Sequence, residues 1–272
     1  MRHPALALLI VPLILAAATQ RSSAWTGPMD SRVAREAVRL MPLSLRGVLE
    51  SHLDDLNAGA RQAADDESSP WHHQDHGQTA PCAAARVEEL TASAVSMIDA
   101  HRPFADVAVQ LGALSHFIGD LNNPLQVSSD DPREIQYFHD YMEYVESNID
   151  KFPLVFYGWK EPSLDGPGAP GPRVFSERIA TRARQYYVRL GQAYAANNPA
   201  PLAQRFDVRS LPFAIGSLSY SHSVTDTARI WLEIWERAHG DLRGTPYLAR
   251  DRSSLPPSGV KVITGTAKVD KP

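Results

Sequence analysis

The chain contains a single cysteine, Cys82, so no intrachain disulfide holds it together. Positive charge is also short, with 27 Lys and Arg against 31 Asp and Glu. A net charge of -4 lacks the basic footprint expected of a nucleic-acid-binding domain. No apolar run reaches the ~20 residues that comfortably span a membrane. Internal repeats are absent, and no alternating strand pattern appears before "VKVIT" at 260–264. What remains is 272 residues that are 43% hydrophobic, enough apolar material for one large domain or two small ones.

The first segment reads as a leader. Arg2 and His3 precede an apolar run from Ala5 to Ala18, and the small residues Ser22, Ser23 and Ala24 come after it. This is the pattern of a secretory signal peptide over residues 1–24, cleaved after Ala24 so that the mature chain starts at Trp25. An uncleaved anchor is the alternative. The expected product is secreted or periplasmic. Such a compartment permits disulfides, yet Cys82 has no partner in the chain and reads as an inert small residue.

Helical periodicity dominates the rest of the chain. Segments 30–41, 45–56, 85–100, 104–121, 133–150 and 175–194 each place apolar residues on one helical face, as does the long stretch 209–239. The segment 104–121 is apolar nearly all round and is expected at the centre of the fold. Residues 160–173 form a Pro/Gly-rich loop rather than a linker, because helices of similar character flank it. The expected architecture is all-α, one helical domain over 25–249 with a loose tail over 250–272.

Polar residues inside these apolar helices are the candidates for chemistry. In "SHFIGDLNNPLQV", His116 and Asp120 lie four apart on one face of the 104–121 helix. Alone, the pair reads most simply as a hydrogen bond that fixes a core histidine. His222 and Asp226 repeat the spacing and read as a solvated or structural pair, and His52 with Asp55 as an ordinary polar face. Two further features favour a metal. His139 and Glu143 form another pair four apart, and the loop "DDESSPWHHQDHG" concentrates Asp65, Asp66, His72, His73, Asp75 and His76. Imidazole and carboxylate are the ligands that Zn²⁺ takes.

Trp25 at a cleavage site, the "HHQD" loop, "HFIGDLNNPLQ" and then "FHDYME" occur in an order that resembles one superfamily. It comprises the zinc-dependent bacterial phospholipases C and the single-strand-specific fungal and plant nucleases. The resemblance implies a helical fold and three zinc ions that hydrolyse phosphodiesters. It implies that Asp65, His72, His116 and Asp120 surround one ion, with Asp66 the alternative to Asp65. Asp120 would bridge to a second ion held by the amino nitrogen and carbonyl oxygen of Trp25, and His139 and Glu143 would hold a third. Asp65 would also orient or deprotonate the attacking water.

Two positions depart from that pattern. Asp30 stands where the nucleases carry a histidine five residues after the tryptophan; its carboxylate remains a competent zinc ligand. Gln126 replaces a histidine of the third ion, which leaves two zinc ions expected and the third open, with His73 or His76 as substitutes. The absence of disulfides leans towards the phospholipase branch, and the Trp25-to-Asp30 spacing towards the nucleases. Asp66 stands where choline-hydrolysing members carry a tyrosine, against a choline headgroup. The reading is a phospholipase C-like hydrolase of phospholipid or another phosphodiester, touching a membrane surface transiently and forming no stable nucleic-acid complex. A single-strand nuclease and a non-catalytic metal-binding relative are the alternatives.

Overall fold

The computed structural model describes residues 25, 27–65, 70–165, 168–196 and 206–248; the leader, Asp66, "VKVIT" and the 250–272 tail lie outside the described residues. Within them the chain is helical, with no strand. Nine α-helices occur in order: α1 Gly27–Arg39, α2 Leu43–Ser51, α3 Leu53–Ala64, α4 Ala83–Asp99, α5 Phe104–Asn122, α6 Glu134–Asn148, α7 Pro172–Arg184, α8 Tyr187–Ala196 and α9 Leu211–Arg237.

Helix α5 is the central element, as its all-round apolar pattern predicts. Pro103 precedes its first turn and Pro124 comes after its last, so the chain cannot continue helical at either end. It packs against α1, α3, α4, α7 and α9. On the α3 side two glycines make the approach close: a Cβ on Gly112 would meet the Leu56 carbonyl oxygen at 1.9 Å, and one on Gly59 the Val109 carbonyl oxygen at 1.9 Å. On the α9 side the Trp231 indole donates to the Leu111 carbonyl at 3.2 Å. The core thus runs along α5, and the polar groups of its second half, Ser115, His116, Asp120 and Asn122, are enclosed.

Two segments that read as single helices are broken. The expected helix 45–56 divides at His52, which leaves helical geometry with φ -121° and ψ 27°. Its ring meets Asp55 in the first turn of α3 at 2.7 Å, so the "SHLDD" polar face marks a helix junction. The expected helix 175–194 divides after Arg184. The guanidinium of Arg184 donates to the carbonyls of Val127 and Gln74 at 2.8 Å each, tying the end of α7 to the two loops that carry those residues. Tyr187 opens α8 by donating to Glu134 of α6 and accepting from the Asp131 N–H. Leu45, Leu49 and Leu56 remain fully buried across the first break, so the apolar stripe persists while the backbone bends.

Candidate metal centre

Three elements bring four polar side chains to one buried point. His116 and Asp120 come from α5, one turn apart. His72 ends a one-turn 3-10 helix, Pro70–His72. Asp30 lies in the first turn of α1. His116 and Asp120 are fully buried, and His72 and Asp30 nearly so.

The loop that carries His72 is held by backbone bonds. Gln74 N–H donates to the Gln126 carbonyl at 3.0 Å, and the Gln74 side-chain oxygen accepts from Ala84 N–H at 3.1 Å. The ring of His72 stacks on Phe117, centroids 5.2 Å apart and planes 28° apart. Asn123 accepts from Leu125 N–H at 3.0 Å and so shapes the 3-10 turn Pro124–Gln126. Trp25 is buried against α5, its indole N–H donating to the Gly119 carbonyl at 2.5 Å. A Cβ on Gly119 would lie 2.7 Å from that indole, so only glycine lets the tryptophan pack against α5 at this point between His116 and Asp120.

The donor atoms form a triangle. His72 Nδ1 is 2.7 Å from Asp120 Oδ2, His116 Nε2 is 3.3 Å from His72 Nδ1, and His116 Nε2 is 3.4 Å from Asp120 Oδ2. Ligand atoms ~2.1 Å from a tetrahedral zinc ion are about 3.4 Å apart. Two edges already match, and the third is a hydrogen bond that an ion would open. Asp120 Oδ1 and His72 Nε2 are buried with no hydrogen-bond partner. An orphaned carboxylate oxygen of this kind is costly unless a cation or donor meets it. The residues therefore fit a divalent metal.

Charge points the same way. Burial raises the pKa of the Asp30 carboxyl against the pull of His116. Burial alone would lower the pKa of His116, but Asp120 and Asp30 outweigh it and push it up to about 9. Two carboxylates and two imidazoles thus share one enclosed space.

Other sequence candidates are placed elsewhere. Asp65 is exposed at the C-terminal end of α3. His139 and Glu143 are exposed on α6, and Gln126 is buried beside the cluster's loop. Among the described residues, His72, His116 and Asp120 are the group whose donor atoms converge. A cavity of about 260 Å³ adjoins His72, lined by Gln62, Trp71, Arg86, Leu90 and Phe117 among others. Phe117 and Gln74 were not candidates by sequence; adjacency to His116 and to His72–His73 was the available signal.

Compared as a sequence, the chain matches no protein-family model and no curated protein. Its architecture is shared by solved structures, two of them alpha-toxins. Alpha-toxin of Clostridium perfringens, isolated from avian strain SWCP, superposes with a TM-score of 0.54 at 14% identity, over 81% of this chain and 66% of the toxin. Alpha-toxin from Clostridium absonum gives 0.58 at 15% identity, over 79% of this chain and 64% of the toxin. The fold is that of the clostridial alpha-toxins. The chain spans just under two thirds of either toxin, and the alpha-toxin fold is what they share. No helix among the described residues is long and apolar enough to cross a membrane.

Proposed function

We propose that this chain is an exported zinc-dependent phosphodiester hydrolase of phospholipase C type. The observation that carries the reading is the buried triangle of His72 Nδ1, His116 Nε2 and Asp120 Oδ2 with its orphaned Asp120 Oδ1. The resemblance of "HFIGDLNNPLQ" and "FHDYME" to the zinc phospholipases and nucleases supports it, as does the alpha-toxin fold.

His72, His116 and Asp120 would hold the ion, each through its atom of the triangle. Zinc there supplies Lewis-acid activation of water and of a phosphoryl oxygen near neutral pH. Asp120 and the amino group of Trp25 would be the groups that hold a second ion, as the resemblance implies. The resemblance would give Asp65 the attacking water, but its side chain is exposed at the end of α3, outside the converging group. Trp71, Phe117 and Arg86 are among the residues that line the cavity beside His72, giving room for a substrate with an apolar part. Phospholipid is the favoured substrate, met transiently at a membrane surface, and the leader-like 1–24 supports export.

One observation favours a non-catalytic metal binder instead. His139 and Glu143 lie exposed on α6, and Gln126 supplies only an amide near the cluster. The test is purified protein beginning at Trp25, assayed for zinc by mass spectrometry and for hydrolysis of bis-p-nitrophenyl phosphate, phospholipid vesicles and single-stranded DNA. Bound zinc with hydrolysis of the vesicles is expected. His116→Ala should lose zinc and lower the rate by more than the ~100-fold typical of outer-shell losses. Zinc without hydrolysis would establish the non-catalytic reading, and hydrolysis of DNA alone would move the chain to the nucleases. A form retaining a residue ahead of Trp25 is expected to bind one ion fewer.

A further inference from the structure

His116 has two ring nitrogens, and the fold gives each a separate task. Nε2 faces His72 Nδ1 at 3.3 Å and Asp120 Oδ2 at 3.4 Å, so it belongs to the triangle. Nδ1 faces Asp30 Oδ2 at 2.9 Å. The two nitrogens point in different directions from the five-membered ring, so the oxygen bonded at Nδ1 lies across the ring from the triangle. That Asp30 oxygen cannot reach the ion that His116 holds.

We propose that Asp30 is a positioning residue, the outer carboxylate that locks the His116 ring with Nε2 towards the ion, rather than a metal ligand. The inference rests on the proposed zinc site. It reverses the role that the resemblance implies for position 30, where the nucleases carry a ligating histidine. A neutral imidazole has one N–H and one lone pair. A carboxylate accepting the Nδ1–H selects the tautomer whose lone pair is on Nε2, and it makes that nitrogen a better donor. Asp30 is itself well placed for the task. It lies in the first turn of α1, where the helix dipole favours a negative charge. It is buried, so the hydrogen bond is shielded from competing water. The pairing also links two elements: α1 is registered against α5 through this bond and through Trp25, which precedes α1 and donates to Gly119 of α5.

The two roles predict different metal chemistry. A lost ligand removes an ion; a lost positioning carboxylate weakens an ion that stays. The test uses the chain beginning at Trp25, loaded with zinc, and the near-isosteric Asp30→Asn. Zinc per protein is counted by mass spectrometry, and affinity is read by competition with a chromophoric chelator. The expected result is an unchanged ion count with affinity weakened about 10–100-fold, the range for outer-shell partners of ligating histidines. One ion fewer, or unchanged count and affinity, overturns the proposal. Asp30→His supplies a ligand but no negatively charged hydrogen-bond acceptor; it is expected to weaken zinc as well, and full affinity or an added ion overturns the proposal. A measurement on the unmutated protein does not depend on a variant folding. Nitrogen-15 NMR of the zinc-loaded chain should show His116 bound through Nε2 with a protonated, hydrogen-bonded Nδ1, and metal on Nδ1 overturns the proposal. Hydrolysis is a separate readout. Zinc bound as described without turnover rejects the hydrolase and leaves Asp30 in place, whereas turnover with an Asp30→Asn ion loss rejects the role of Asp30 alone.

Discussion

Residue His222 shows how surroundings decide what a polar pair does. Its ring stacks on Tyr157 with centroids 4.1 Å apart and planes 15° apart. Burial, helped by the guanidiniums of Arg182 and Arg229 and opposed by Asp226, lowers its pKa to about 4 from 6.5. The unfolded chain therefore takes up the proton more readily than the folded one. Stability from this residue is complete above pH 6.5 and falls as pH drops towards 4, by at most about 3 kcal/mol. Urea denaturation across that window should show the slope, and His222→Phe, which keeps the stack, should flatten it. The spacing of His222 and Asp226 equals that of His116 and Asp120, but the outcomes diverge. Of the two readings of this pair, solvated or structural, the structural one holds: Asp226 is fully buried and is taken by Arg182, Arg229 and Asn122. Asp120 meets only imidazoles and keeps an oxygen unpaired. Fixed guanidiniums satisfy the first carboxylate, and the second keeps an unpaired oxygen in a group that could hold an ion.

At the level of elements, the α3–α5 contact is the one that sets the depth of the site. Gly59 and Gly112 let the two backbones touch, each glycine opposite a carbonyl of the other helix. Gly112→Ala places a Cβ 1.9 Å from backbone, which a side-chain rotation cannot relieve. The expected cost is about 3 kcal/mol, at the upper end for overpacking, measured as a lower urea midpoint. Because α5 carries His116 and Asp120, the same variant should weaken zinc retention. Helix existence was legible from periodicity, since a buried stripe requires apolar residues every three or four positions. The breaks at His52 and after Arg184 were not. An apolar stripe passes through a bend unchanged, and the cause of the second break is Arg184 bonding to carbonyls of residues 74 and 127, far away in sequence.

For the whole molecule, metal and stability should be coupled. A fold with one free cysteine relies on its core, and at that core four polar side chains converge. An ion that binds only the folded state adds about 4 kcal/mol at a thousand times its dissociation constant. That corresponds to a rise of about 10 °C in thermal midpoint for a chain of this size. Calorimetry with excess zinc against chelator should show the difference in the parent chain and not in His116→Ala. An equal midpoint with and without zinc would argue against a structural ion at this position.

The sequence alone determined the helical class, the enclosure of α5 and the candidacy of His72, His116 and Asp120, because periodicity, breakers and ligand chemistry are local properties. Only the tertiary structure decided which candidates meet. His72 and Asp30 reach α5 from separate elements, 44 and 86 residues from His116, while His139 and Glu143, equally well spaced on their helix, face outward. Spacing puts two groups on one face of a helix; the packing of the other helices decides whether that face looks towards a partner, an ion or water.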